Sequence, residues 1–342
     1  MEAMVLDKIY DMRKNPRPLK RAQLPEPEPT DNEVLLKVNV CGVCHTELDE
    51  IKGRTPPPRL PMVLGHQAVG TVVDRGAKAR KLEIGARVGV AWIFKTCGIC
   101  ELCKCGRENL CAHFSATGRD ANGGYAQYMT VDQDFAHPIP ENLSDTHAAP
   151  LLCAGAIGYR SLNLSGLEDR QTLGLTGFGA SAHLVLKLVR HKFPEARIYV
   201  FARSANERRF ARELGAIWAG GTADAAPVAL DAIIDTTPVW KPVVQALQNL
   251  KPGGRLIINA IRKEGGDKKS LLELDYPTHL WLEKEIKSVA NVTRRDVAEF
   301  LALAAEIPIE PAVENYSLFE ANEALLDLKQ RKIRGAKVLN IE

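Results

Sequence analysis

The chain has 342 residues, 45% of them hydrophobic, and its 45 basic and 42 acidic residues leave a net charge of +3. That length exceeds one small core and predicts two domains. Acids and bases are interspersed, with no basic run and no interleaved aromatic series, so nucleic acid is not an expected partner. No apolar run approaches the ~20 residues of a membrane span, and residues 1–14 lack the apolar core of a signal peptide. The expectation is a cytoplasmic protein, without a membrane partner, that acts on a small molecule.

Taken in chain order, the first half consists of short apolar stretches cut by Gly and Pro. Strands are predicted over 33–40, 67–73, 86–92 and 124–131, with proline-rich breaks at 25–29 and 56–58. This pattern predicts an irregular β domain carrying loops. The texture changes after about Pro150. A strand over 173–176 opens into Gly177-Phe178-Gly179, and a helix follows with Leu184, Val185 and Leu188 on one face. Strands over 197–201, 231–235 and 255–259 alternate with helices over 205–214 and 239–250, and Lys251-Pro252-Gly253-Gly254 reads as a turn. Such alternation predicts α/β architecture with a doubly wound parallel sheet. After about Arg294 the tail reads as mixed short elements.

Half of the eight cysteines stand at Cys97, Cys100, Cys103 and Cys111, spaced Cys-x2-Cys-x2-Cys-x7-Cys. Soft thiolates at these spacings suit a closed structural zinc site. Disulfides would need an oxidising compartment. An iron–sulfur cluster also takes four cysteines, and only the spacing speaks against it. Cys105 lies inside this lobe (about residues 95–113) and reads as a bystander, with replacement of Cys103 as the alternative. Cys41 and Cys44 form a Cys-x2-Cys pair, but the thioredoxin-like βα context is missing, so Cys41 reads as a small buried strand residue.

Gly177-x-Gly179-x-x-Ala182 sits between a predicted strand and a predicted helix, the context that makes a glycine triplet a dinucleotide loop. The first glycine makes the turn and the second admits a pyrophosphate at the helix N-terminus. Phe178, Ala180 and Ser181 complete the loop. About 20 residues on, where an acid would mark NAD, the chain reads Ala202-Arg203-Ser204, with Arg208 following. Arginine there suits a 2′-phosphate, so NADP is expected over NAD.

Further motifs carry a resemblance: Gly-Val-Cys-His-Thr at 42–46, Gly-His at 65–66, the lobe ending Glu108-Asn109-Leu110-Cys111, Gly123-Gly124-Tyr125-Ala126, Leu152-Cys153-Ala154-Gly155 and the glycine loop. Together the chain resembles the zinc-containing medium-chain alcohol dehydrogenases over nearly its whole length. The resemblance implies a GroES-like catalytic domain over 1–153 and 294–342, into which the tail folds back. It also implies a Rossmann domain over 154–293 and an active site in the cleft between the two. Carried over by motif, Cys44, His66 and Cys153 would hold a catalytic zinc with an open fourth position, and the lobe a structural zinc. Zinc would polarise the alcohol oxygen while hydride passes to the nicotinamide. Thr46 would take the substrate proton, Glu47 would orient a ligand, and His45 would meet the pyrophosphate. Trp92 and Thr55 would line the substrate pocket, Thr55 being small where some relatives carry Trp. The resemblance further implies a homodimer or homotetramer.

The chain departs from the family pattern in three places. Gln67 stands where many members carry Glu. Asp49 stands where many carry a relay His. The C-terminal Arg that often meets the pyrophosphate is out of place, with Arg334 and Lys337 nearby. Three rival readings remain. A zinc-independent quinone or enoyl reductase would lack the ligand trio. A polyol-type dehydrogenase would tend to carry Glu in place of Cys153. A non-catalytic protein on this scaffold would have no need of the trio with Thr46.

Overall fold

The computed structural model describes residues 1–307, 309–330 and 336–341. It divides the chain into two compact units, Met1–Ala156 with Val292–Glu342, and Ile157–Asn291.

The first unit is built around the strand Glu33–Val43, whose apolar residues are nearly all buried. It pairs antiparallel with Ala68–Arg75, with Tyr128–Asp132 and with Ala336–Asn340. Register shifts between Leu35 and Leu36 and between Val38 and Val40 break the ladder with Ala68–Arg75. Such bulges bend a strand and strengthen its twist, which suits a curved sheet. Val34, Leu36, Val38 and Cys41 join Met62, Leu64, Tyr125 and Met129 in one core. The tail returns to this unit: Lys337 pairs with Val43 and Asn340 with Val40.

The tail is more regular than its sequence suggests. It contains a helix over Arg294–Glu306 and another over Ala321–Gln330. The first had readable signals. Thr293 and Asp296 form a capping box. Val297, Phe300, Leu301 and Ala304 recur at helical spacing and are all buried.

The second unit holds six parallel strands in the order Trp218–Gly220, Arg197–Phe201, Thr172–Thr176, Leu230–Asp235, Leu250–Ile258, Glu285–Ser288. That is the Rossmann order, with the chain reversing direction across the sheet between Thr172–Thr176 and Leu230–Asp235. Every residue of Thr172–Thr176 is buried, as expected of a parallel strand covered on both faces. Two sequence expectations change here. The helix predicted over 239–250 spans only Lys241–Leu247. The predicted turn at Lys251–Gly254 lies inside the strand Leu250–Ile258, where the pairing skips register between Leu230 and Ala232. Gly253 takes φ +71° there, so the glycine serves an irregular strand rather than a reversal. Among the described residues no helix is long and apolar enough to cross a membrane.

Candidate metal centres and dinucleotide site

Two groups of metal-type donors converge among the described residues, Cys44–His66–Cys153 and Cys97–Cys100–Cys103–Cys111. Both lie in the first unit.

The trio is assembled from three kinds of backbone. Cys44 is the N-cap of the helix His45–Ile51, and its sulfur accepts from the Thr46 N–H at 3.3 Å. His66 follows Gly65, which has φ +97° and is crowded by Tyr125 and the Cys41 sulfur. Cys153 sits in a π-helical turn, Leu151–Gly155, a widened geometry common at functional sites. The His66 Nε2 atom is 3.6 Å from the Cys44 sulfur and 3.4 Å from that of Cys153. Zinc bonded at about 2.3 Å to sulfur and about 2.05 Å to nitrogen places its donors about 3.6–3.8 Å apart. The trio therefore fits one tetrahedral ion.

Glu47 fixes two of the three donors. Its Oε1 lies 2.6 Å from His66 Nδ1, and its Oε2 accepts from the Cys44 backbone N–H at 2.8 Å. A carboxylate this close favours the proton on Nδ1, which leaves the Nε2 lone pair for a metal. Burial alone would favour a neutral His66 ring, but the charges of Glu47 and Cys44 outweigh it and raise its pKa. The neighbouring Cys153 sulfur and burial push the Cys44 thiol well up. In both shifts the anionic neighbours, Glu47 among them, push the pKa up, and a cation would balance that charge.

The four-cysteine lobe is local and partly exposed. Its sulfurs stand 3.9 Å apart for Cys97–Cys103 and for Cys100–Cys111, and 3.5 Å apart for Cys111–Cys97. These spacings are far beyond a bonded disulfide of about 2.05 Å, and all eight cysteines are free. They match the edges of a single tetrahedral ion, whereas a multi-iron cluster would spread its thiolates over several metal atoms. Backbone N–H groups of Ile99 and Cys100 lower the Cys97 thiol to about 6. Burial raises that of Cys103 to about 11. Cys105 is exposed, stands outside the cluster and bonds the Leu102 carbonyl. Cys41 is fully buried in the central strand, where burial pushes its thiol up.

In the second unit, Gly177 closes Thr172–Thr176 with φ +78° and packs against Thr236 and Thr237. Gly179 caps the helix Ala180–Lys192, and a side chain there would meet no atom within 4 Å. This opening at a helix N-terminus is what a phosphate needs. Ala182 is fully buried, so a small residue fits the close helix–strand packing. Phe178 packs inward on Phe210, and the Ser181 hydroxyl accepts from Asn259 at 3.2 Å. Past the next strand, Ala202 is buried, Arg203 is exposed, and Ser204 caps the following helix with Glu207. Arg208 donates to the carbonyls of Ala202 and Arg203 at 2.8 Å each. It therefore shapes the loop, and Arg203 is the arginine presented outward.

The remaining predicted residues lie as follows. His45 is exposed and Thr46 is half-buried beside Cys44. Asp49 is buried and ion-paired with Arg54. Thr55 is buried, with its N–H on the Asp49 carbonyl at 3.3 Å. Trp92 is half-buried and packs on Phe114, its ring centroid 5.2 Å away. Gln67 is buried against Gly42, and its amide nitrogen has no hydrogen-bond partner. Lys337 is buried near Glu314 rather than turned outward. Arg334 lies outside the described residues. Two contacts escaped the sequence reading: the Arg54 partner of Asp49 and the engagement of Arg208 with backbone.

Residues 30–141 match the alcohol dehydrogenase GroES-like domain. The chain is 42% identical over 329 residues to a Mycobacterium tuberculosis protein named "Probable alcohol dehydrogenase AdhA", covering 95% of this chain and 93% of that one. It is 31% identical over 331 residues to an alcohol dehydrogenase of Geobacillus stearothermophilus, covering 94% and 95%. Among solved structures, a cinnamyl alcohol dehydrogenase from Sorghum bicolor superposes with a TM-score of 0.84 at 26% identity, over 99% of this chain and 97% of that one. The chain belongs to the medium-chain alcohol dehydrogenase family, with a GroES-like domain and a Rossmann domain.

Proposed function

We propose that the chain is a zinc-dependent alcohol dehydrogenase that moves hydride reversibly between a primary or secondary alcohol and NADP. The observation that carries this reading is the Cys44–His66–Cys153 set, whose donor spacings fit zinc and whose protein donors number three. Three donors with a fourth position for water or substrate are the pattern of a catalytic site. Zinc there supplies a Lewis acid for the alcohol oxygen.

The chain's own residues do the rest. Cys44 and Cys153 balance the ion's charge, and Glu47 keeps His66 in the ligating tautomer. The Thr46 hydroxyl, two residues on from Cys44, takes the substrate proton. Asp49, ion-paired to the more exposed Arg54, is the next group on the way to solvent. Gly177 to Ser181 receive the pyrophosphate, and Arg203 the 2′-phosphate. The four-cysteine lobe binds a second, structural zinc.

Cys153→Ser should lower zinc from two to about one per chain and abolish turnover while leaving the far-UV circular dichroism unchanged. Unaltered activity removes Cys153 from the site. For the cofactor, KM for NADP+ should lie below that for NAD+, and Arg203→Ala should raise only the former. A clear NAD+ preference refutes the NADP reading.

A further inference from the structure

The helix Arg294–Glu306 makes contacts that neither metal centre explains by itself. At its start, Arg294 donates from its backbone N–H to Glu108 Oε1 at 2.8 Å and from Nε at 3.3 Å. Glu108 is buried within the four-cysteine lobe, and its carbonyl accepts from the N–H of Cys111 at 3.0 Å. Arg294 also reaches Asp134 at 3.3 Å and lies over the Phe135 ring. Thr293 and Asp296 cap this end in a buried, reciprocal pair. At the far end, Asn142 holds the Ala305 carbonyl at 2.8 Å. The helix is thus clamped at both ends.

Between the clamps, Phe300 is buried and its ring lies on Gly155. A Cβ at Gly155 would come within 2.2 Å of Phe300 Cε1 and 2.7 Å of Cζ. Gly155 is not among the residues with positive φ. The glycine therefore serves space rather than backbone conformation: the ring fills the volume a side chain would need. Gly155 ends the π-helical turn that carries Cys153, two residues earlier. The Phe300 ring therefore bounds this turn on one side, at a residue two positions from Cys153.

We propose that Phe300 is a positioning residue for Cys153, and that the Glu108–Arg294 contact extends this control to the four-cysteine lobe. The inference rests on the reading that the trio binds zinc. The ring on Gly155 fixes the π turn, the clamped helix fixes the ring, and the lobe supplies one clamp. The two metal centres are then mechanically joined, although their ligands share no bond.

The test uses the whole protein, stripped of metal and reloaded with cobalt(II). Cobalt count and thiolate-to-cobalt absorption are followed during chelator challenge. Wild type should hold two ions per chain with distinct spectra. Gly155→Ala should release the trio's cobalt on the order of tenfold faster, the scale of losing a supporting residue around a metal ligand, and leave the lobe's cobalt unchanged. Phe300→Leu by itself, which removes the ring that bounds the turn and keeps Gly155, should also speed trio release and leave the lobe's cobalt unchanged. Arg294→Met should move trio release in the same direction by less, and this variant keeps the test open if Gly155→Ala does not fold. Wild-type release rates in Gly155→Ala, or in Arg294→Met, overturn the proposal. So does wild-type trio release in Phe300→Leu. A wild-type protein whose only bound cobalt shows the four-thiolate spectrum of the lobe sinks the trio reading itself, a result distinguishable from the others.

Discussion

The four-cysteine lobe and the Cys44–His66–Cys153 trio are both rich in thiols, yet they are built by opposite means. The lobe draws its donors from one short loop, and backbone N–H groups ready the Cys97 thiolate. The trio draws its donors from a helix cap, a crowded loop and a π turn, and a buried carboxylate fixes the histidine. A local loop can close on an ion by itself. A site that must keep one position open needs its donors held from outside, by groups that cannot relax into the empty place. On the proposed reading of a structural lobe and a catalytic trio, that difference in construction is the difference between holding an ion and using one.

Glycine substitutions break this contrast most sharply. Gly65 and Gly98 both have positive φ, but Gly65 is packed against Tyr125 and Gly98 has open space. Gly65→Ala adds left-handed strain to a collision with the Tyr125 ring and should cost about 4 kcal/mol. It should also displace His66 and lose the trio's metal, as read by urea unfolding and zinc analysis. A smaller effect comes from acid. His137 is buried near Arg294, and burial followed by the Arg294 charge lowers its pKa to about 4. The unfolded chain takes up that proton near pH 6.5, before the folded one does. Stability present above pH 6.5 is therefore lost as pH falls toward 4, by about 3 kcal/mol in full. His137→Leu should flatten that part of the stability–pH curve; an unchanged slope assigns the acid loss elsewhere. The smallest effect is Gly98→Ala, with backbone strain alone of about 1–2 kcal/mol. A loss as large as that of Gly65→Ala would erase the contrast between an open loop and a packed one.

Much of this was legible in the sequence, and the limits have physical causes. The lobe was readable because its ligands are close in sequence. The glycine loop was readable because strand, turn and helix follow one another within it. The trio was not readable from spacing, since only the fold brings Cys44 to Cys153; the resemblance supplied it. Glu47 was foreseen as a carboxylate supporting a ligand, but its grip on both His66 and Cys44 appears only in three dimensions. Arg208 was expected near a phosphate, and its bonds to the carbonyls of Ala202 and Arg203 appear only in three dimensions. The turn at Lys251–Gly254 failed because Pro and Gly punctuate bulged strands as readily as reversals. The helix Arg294–Glu306 was missed despite a complete capping box and a helical apolar stripe. Its contact with the lobe joins residues too distant in sequence for any local pattern to register.

The strand Ala336–Asn340 lies against the residues that lead into Cys44, with Leu339 opposite Cys41 and Val338 opposite Gly42. Its consequence is one of timing. During synthesis, Cys44, His66 and Cys153 all leave the ribosome before that strand exists. The sheet edge beside the first ligand stays open until it arrives. A growing chain can close the lobe early, but the trio gains this flanking support only after residues 336–340 have been made.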